Sequence, residues 1–587
     1  MEKQHNRGQD GAGVANIKMD ISPGGRYISR YRSVDTQPIQ AIFSKLERKF
    51  AKARKEGKEK FYQEKWFKKN CGFSGEVWLG HLRYGTHGKN KIENCHPMLR
   101  QNNWRSRNLV LAGNFNMTNV DRLFDTLVNL GQHPKEKVDT ITVLEKIGHF
   151  LDEENQLIFD QYKDKYSNQE ITHLIEEELD LQRVLQRSCK DFDGGYAMVG
   201  MTGYGASFIA RDPAGIRPAY YYVDDEVVVA ASEKPAIKTA FNVDYKEINE
   251  IKPGYALIVE KSGAFSQKAF IEPLDKKACS FERIYFSRGN DPDIYQERKQ
   301  LGRLLVPQVL KAIDYDLKHS VFSYIPNTAE TSYLGMLEEL EEHLARKRKE
   351  IIIEKKPHAD SLDQLLSFQP RVEKLVLKDA KLRTFITDDD HRDDLVAHVY
   401  DTTYEVINKK QDTLVIIDDS IVRGTTLEKS ILAMLSRLEP KKIVIVSSAP
   451  QIRFPDCYGI DMSRMKEFVA FRATLELLKE NGKEFLLDVV YDKCVESINS
   501  AEPANHVKEL YAPFSYEDVS AKIGQMISKQ YEPEVQLIYQ TVDNLHQACP
   551  HHKGDWYFTG DYPTPGGNRV VNKAFINFMR GKKVRAY

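Results

Sequence analysis

Residues 413–426, TLVIIDDSIVRGTT, constrain the fold more than any other stretch of the chain. Four apolar β-formers, Leu414 to Ile417, run into two adjacent carboxylates, Asp418 and Asp419. A short turn from Ser420 to Thr426 follows, and an apolar-periodic helix begins at Leu427. An unbroken apolar run of this kind suits a parallel strand buried on both faces. Its carboxyl end meets a helix N-terminus, where open α/β sheets place their ligands. Carboxylates there suit the cis-diol of a ribose or a Mg²⁺ ion. The hydroxyls and N–H groups of the turn (Ser420, Arg423, Gly424, Thr425 and Thr426) suit a phosphate, helped by the helix dipole. The bland alternative is a strand–loop–helix whose acids are merely solvated; acid pair, Gly-Thr-Thr and strand–helix context together speak against it.

At 587 residues the chain is too long for one core, and it divides into three regions. Residues 1–262 are rich in short β-like runs broken by glycine turns, such as EVWLGHLRYGTHG, NLVLAGNFN and GGYAMVGMTG. They predict an α+β sandwich of two stacked antiparallel sheets between helices. Residues 280–475 alternate strand and helix, as a parallel α/β domain does, with VFSYIP, TLVIIDD and KKIVIVSSAP as strands. Residues 476–587 read as a mixed, mainly helical C-terminal extension. The charged run 43–70 has helical spacing and reads as a solvated surface insertion, and the charged segment 337–356 reads as a helix leading to an outlying loop.

Charge excludes some functions. With 85 basic against 85 acidic residues there is no global field to draw nucleic acid or a membrane surface. No apolar run is long enough to cross a bilayer, and the polar start MEKQHNRGQDG is no signal peptide. Seven scattered cysteines, odd in number, read as reduced thiols and a cytoplasmic location.

The 413–426 string closely resembles the PRPP-binding signature of type I phosphoribosyltransferases. That resemblance implies that Asp418 and Asp419 grip the ribose hydroxyls while Ser420 to Thr426 cradle the 5′-phosphate. Upstream, RGQDGAG (7–13), GHLRYGTHG (80–88), LAGNFNMTN (111–119), VDTITV (138–143) and ARDPAGIRP (210–218) resemble, in this order, the glutaminase domain of class II amidotransferases. Together with CSFERIYFSR (279–288), RTFI (383–386) and APQIRFPDCYGIDM (449–462), they make most of the chain from residue 4 to about 500 similar to the glutamine PRPP amidotransferase family.

The family resemblance implies further roles by position. Arg83 would clasp the glutamine α-carboxylate with a forked pair, and Asp139 would hold the α-amino group. Asn114 and the N–H of the next residue would form the oxyanion hole. That next residue is Gly in the family and Phe115 here, which keeps the backbone donor and is expected to narrow the space around it. Thr328, in IPNTAETS (325–332), sits where the family contacts the metal at the pyrophosphate loop. Read plainly, the same string is a strand end with Thr328 or Thr331 as a helix N-cap. Arg383 would lie on a mobile cover over PRPP, with Lys378 and Lys381 nearby. The following stretch, 387–401, is acidic here and basic in the family.

One element of the pattern is missing. The family attacks the glutamine amide with the thiol of an N-terminal Cys whose own α-amine is the base, placed a few dozen residues before RGQDGAG. Here six residues precede Arg7, none of them Cys, and Cys71 has no α-amine to offer. No nucleophile is assigned. A chain that begins late, at an internal Met, is the expected cause; a paralogue that has given up glutaminase chemistry is the alternative. The implied cofactor is Mg²⁺. No Fe–S cluster is expected, because Cys279 and Cys457 lie near two of the family's four ligand positions while Tyr557 stands where another Cys would be. The implied partners are PRPP and glutamine or ammonia, in a homo-oligomer, with neither nucleic acid nor membrane. The expected activity is transfer of ammonia to C1 of PRPP. A catalytically inactive PRPP-binding regulator is the competing class, and a salvage phosphoribosyltransferase would leave residues 1–262 unexplained.

Overall fold

The structure is a computed structural model that describes residues 1–84, 91–378, 400–460, 462–582 and 584–586. The chain forms two compact units. One is Met1–Ala278 with a short strip that begins at Cys457; the other is Cys279–Asp456 with Met462–Ala586.

In the first unit, β1 (Gly11–Ile17), β2 (Ile28–Ser33) and β3 (Val77–Arg83) form an antiparallel sheet ordered β2-β1-β3. A second sheet begins with β4 (Met98–Arg100), β5 (Leu109–Met117), β6 (Gly194–Thr202) and β7 (Ser207–Arg211). A small third sheet of β8 (Tyr220–Val223), β9 (Val228–Ala231) and β10 (Asn249–Glu250) intervenes. Then β11 (Tyr255–Val259) and β12 (Phe265–Ala269) complete the second, six-stranded sheet in the order β12-β11-β7-β6-β5-β4.

The period-2 alternation of each strand decides the layering. Ala12 and Val14 of β1 pack with Ile42 and Leu46 of the helix Pro38–Gly57. Their neighbours Ala15 and Ile17 turn the other way, onto Leu79 of β3 and Val110 and Ala112 of β5, and so fill the space between the two sheets. Leu109, Leu111, Phe115 and Met117 face outward to the helices Asp139–Tyr162 and Leu181–Cys189. The result is helix, sheet, sheet, helix, the layered sandwich expected from the sequence. The ARDPAGIRP motif has a structural role here. The buried Asp212 carboxylate accepts the N–H groups of Tyr196, Ala214, Ile216 and Arg217, at 2.8–3.3 Å, and so staples the loop after β7.

In the second unit, β13 (Ser320–Tyr324), β14 (Arg371–Val372), β17 (Thr413–Asp418), β18 (Lys442–Ser447) and β19 (Glu534–Tyr539) form a wholly parallel sheet, ordered β14-β13-β17-β18-β19. Between them, β15 (Val376–Lys378) and β16 (Tyr400–Thr402) pair as an antiparallel ribbon. Leu414, Ile416, Ile443 and Ile445 serve one core, and Val415, Ile417, Val444 and Val446 the other. Burial on both faces is why the strand had to be continuously apolar. The expected boundary at 475 separates no compact unit. β19 continues the register of β18, and the helix Tyr516–Ser528 packs on the same core, so residues beyond 475 complete this domain.

The helices Pro292–Ala312 and Glu330–Lys355 cover one face of the sheet and cross closely. A methyl group added at Gly302 would lie 1.7 Å from the Ser332 carbonyl oxygen, and one at Gly335 would lie 1.9 Å from that of Lys299. Both neighbours are backbone and cannot swing aside. Gly302→Ala is therefore expected to lower stability by about 1–3 kcal/mol, read from the urea midpoint; an unchanged midpoint would mean that the helices separate freely.

Candidate functional site

The acid pair sits where the strand delivers it. β17 ends at Asp418, flanked by β13 and β18, and Asp418 is in register with Ser447. Asp418 Oδ1 accepts the Asp419 N–H at 2.8 Å, and Asp419 Oδ1 accepts the Ser420 hydroxyl at 2.9 Å. The Thr328 hydroxyl also bonds to Asp419, so the loop after β13 meets the acid pair. Thr328 does not cap the following helix: the N-cap is Ala329, without a side-chain bond, because the hydroxyl is used on Asp419. Loss of solvent raises both carboxyls above their usual range, and the charge of Asp419 raises Asp418 further. Arg298 and Lys378 oppose this on Asp419, and Lys378 on Asp418. A pocket of this kind favours a ligand that donates hydroxyl hydrogens or brings positive charge.

Behind the acids, Gly424 has φ +75°, a conformation that turns the chain sharply and costs glycine little. The helix opens at Thr425, and its first internal bond runs from the Glu428 N–H to the Gly424 carbonyl at 2.8 Å. The N–H groups of Thr425, Thr426 and Leu427 thus precede the intrahelical ladder and are open to an anion. Arg423 points its guanidinium at Glu467, 2.6 Å away, and its carbonyl accepts from Arg472, so it braces the turn. Lys378 lies on β15 with its ammonium 5.5 Å from the centre of the Tyr400 ring. Arg383 and Lys381 lie outside the described residues, as does most of the acidic stretch after them.

The second cluster lies in the sandwich. Alternation puts Asn114 on the face of β5 that carries Val110 and Ala112, toward β3, and Arg83 on the face of β3 that carries Leu79. Both side chains therefore turn toward the space between the sheets. Asn114 is exposed and makes no side-chain hydrogen bond among the described residues. Arg83 is buried, with Nη1 on the Lys91 carbonyl at 3.2 Å. Phe115 points the other way, into the helix-covered core, so the expected crowding beside its N–H does not arise. Asp139 is the first residue of the helix Asp139–Tyr162 and accepts the Thr140 N–H at 2.6 Å. Two histidines that the sequence reading passed over tie these parts together. His81 Nε2 lies 3.1 Å from the Gly113 carbonyl, Gly113 N–H reaches His96 Nδ1 at 3.2 Å, and His96 Nε2 lies 3.3 Å from Thr140 Oγ1.

Cys71, Cys95 and Cys189 are buried, and burial pushes each of them up. Cys95 turns its sulfur to the Ala12 carbonyl at 3.4 Å. In the second unit Cys279 lies 3.4 Å from the Tyr557 hydroxyl, and Cys549 is buried. Among the described residues no group of three or more His, Cys, Asp or Glu side chains is placed to hold a metal ion, and no helix is long and apolar enough to cross a membrane.

Comparison with known proteins finds likeness along most of the chain. A profile of the glutamine amidotransferase domain matches residues 152–239. The amidophosphoribosyltransferase of Bacillus subtilis (strain 168) is 27% identical over 417 residues, covering 69% of this chain and 72% of that protein. That of Lachancea kluyveri is 27% identical over 429 residues, 70% of this chain and 73% of its own. In fold, the chain is similar to the solved glutamine PRPP amidotransferase from B. subtilis complexed with ADP and GMP. The TM-score is 0.59 at 22% identity, over 96% of this chain and 93% of that one. This chain thus resembles amidophosphoribosyltransferases along most of its length.

Arg298 is a further site residue that sequence reading missed, although a signal was present. Ile294, Arg298, Leu301 and Leu305 share the buried face of the helix Pro292–Ala312, and a charge on such a stripe needs a reason. Its Nε donates to the Arg283 carbonyl at 2.8 Å and its Nη2 to the Ser287 carbonyl at 2.7 Å, while its charge acts on Asp419. Burial holds the guanidinium down at about 10. Arg298→Leu removes both of these charge-assisted bonds and is expected to cost about 3 kcal/mol in urea denaturation. A loss below the measurement error would remove Arg298 as a brace of the acid pair.

Proposed function

We propose that this chain displaces pyrophosphate from C1 of PRPP with ammonia, forming 5-phosphoribosylamine, and that glutamine is the source of the ammonia. This is the reaction that opens de novo purine synthesis. The observation that carries the reading is the acid pair at the carboxyl edge of a parallel sheet, followed at once by the open N–H groups of Thr425, Thr426 and Leu427. Ribose hydroxyls would donate to Asp418 and Asp419 in short, charge-assisted bonds. The 5′-phosphate would take the turn from Ser420 to Thr426, with the helix dipole behind it. Cationic character grows at C1 as pyrophosphate leaves, and carboxylates beside the ribose suit that change. The donor set at this place is all oxygen: the two carboxylates and the Thr328 hydroxyl. That set fits a hard divalent cation, and Mg²⁺ held there would supply positive charge to the departing pyrophosphate.

On the glutamine side, Arg83 would fork onto the α-carboxylate and Asp139 would take the α-amino group. Asn114 Nδ2 and the Phe115 N–H would face the oxyanion. The bare amide of Asn114 and the inward turn of Arg83 support these assignments. No nucleophilic thiol is assigned. No iron–sulfur cluster is proposed either, since Cys279 has the Tyr557 hydroxyl as its neighbour. We take the enzyme to act in the cytoplasm as a homo-oligomer, without nucleic acid or membrane.

With PRPP and Mg²⁺ present, ammonium is expected to release pyrophosphate, and the comparison with glutamine measures the glutaminase half separately. Saturable PRPP binding with no release under either nitrogen source would identify an inactive regulator instead. Asp419→Asn should weaken PRPP binding about a hundredfold by calorimetry, the size of a charged hydrogen-bond pair lost. Unchanged affinity would refute the acid pair as the ribose grip.

A further inference from the structure

The ladder between β4 and β5 stops short of the place where it matters most. Met98 pairs with Leu111, and continuing that register would set His96 opposite Gly113. There the backbone of the 95–97 segment no longer serves as partner. The ring of His96 takes the Gly113 N–H instead, and the ring of His81, from β3, takes the Gly113 carbonyl. Two imidazoles thus replace one strand residue, and both groups of Gly113 are satisfied. On the other side of β5 Gly113 pairs with Met198, where a methyl group at Gly113 would come within 2.6 Å of the Ala197 carbonyl oxygen. The strand is held tightly at the residue just before Asn114.

The partners fix the tautomers. Gly113 N–H can only donate, so His96 Nδ1 carries a lone pair and Nε2 carries the hydrogen. That hydrogen goes to Thr140 Oγ1 at 3.3 Å, whose own proton goes to Asp139 Oδ1 at 3.2 Å. Gly113 O can only accept, so His81 Nε2 carries its hydrogen. His81 Nδ1 is shielded from solvent and has no hydrogen-bond partner among the described residues. The rings lie 4.5 Å apart, centre to centre.

We propose that His96, assisted by His81, is a positioning residue of the glutamine pocket: as a neutral imidazole it locks the Gly113–Asn114 segment of the oxyanion strand to the Asp139 end of the opposing helix. This inference rests on the glutamine reading above. A proton added at His96 Nδ1 would replace the acceptor that Gly113 N–H requires. The groups facing His96 are His81 and Arg83 from β3, Arg32 from β2, Cys95 on its own segment and Asp139 by way of Thr140. Burial comes first, and then His81, Arg83 and Arg32, in keeping His96 well below the ordinary imidazole range. The lock therefore holds at neutral pH and opens only as the medium becomes acid. Protonation of His81, held down to about 4 mainly by burial, leaves its Nε2–H bond in place.

Glutamine gives the decisive substitution, because its amide oxygen can accept from Gly113 and its NH₂ can donate to Thr140 without titrating. Calorimetric glutamine affinity of the full chain would be followed from about pH 7.5 down to about pH 4. His96→Gln should bind as the wild type does at neutral pH and lose less affinity at the acid end; loss common to both belongs to Asp139 and its surroundings. His96→Leu should bind about tenfold more weakly throughout, one buried donor being left open. An identical acid-side loss in His96→Gln, or undiminished binding by His96→Leu, would overturn the proposal. If the wild type binds no glutamine at any pH, the glutamine reading fails, and amide exchange at Gly113 still decides the lock. Exchange should be slow in wild type and His96→Gln and about tenfold faster in His96→Leu; equal exchange in all three would overturn it.

Discussion

Two carboxylates on consecutive residues repel each other, and at the end of a strand buried on both faces they have little water to share the charge. Everything around Asp418 and Asp419 answers that constraint. Ser420 and Thr328 give their hydroxyl hydrogens to Asp419, the Asp419 N–H caps Asp418, and the positive charges of Arg298 and Lys378 come from a helix and a ribbon outside the central strand. Even so, both carboxyls remain above their usual range. Among the described residues the acids are thus incompletely compensated, and a ligand that supplied hydroxyl donors or positive charge would gain from completing the set.

The elements read most clearly in advance are those whose period and burial agree. Leu414 to Ile417 could be placed because a parallel strand covered on both sides leaves no position for a polar residue. The helices of 43–70 and 337–356 followed from spacing alone. β19 was not recognised, because EVQLIY is short and half-polar, as an edge strand can be; only its pairing with β18 reveals it. Beside its metal-contact assignment by resemblance, the plain reading made Thr328 or Thr331 a helix cap, because caps are local and visible in sequence. Its actual bond, to a residue far along the chain, depends on β13 and β17 lying side by side.

Phe115 makes the same point from the opposite direction. Next to Asn114 in sequence, it suggested a crowded oxyanion site. In a strand, however, adjacent side chains leave by opposite faces, so the ring fills the helical core and not the space between the sheets. The substitution then affects packing more than chemistry. His81 and His96 escaped notice for another reason. His81 lies inside the GHLRYGTHG string and His96 just before β4, and nothing in the sequence says that Gly113 has lost a backbone partner. The gap appears only once the β4–β5 register is known.

The two clusters solve different electrostatic problems. Around Asp418 and Asp419 the groups are charged, and the proposed ligand would gain affinity by compensating them. Around Gly113 the bracing groups are neutral, and the order they impose comes from hydrogen-bond direction. That difference follows from what each place has to stabilise. In the proposed reading, a sugar bearing phosphate brings hydroxyl hydrogens for the carboxylates and negative charge for the open N–H groups, so the protein can leave both waiting for it. An oxyanion exists only during reaction, so its donors must already point correctly when no charge is present. A charged brace beside such donors would pull on them in the resting state. Two neutral rings that each hold one end of the same glycine fix the direction of β5 without adding charge, and the bare amide of Asn114 is the part of that strand left free to respond.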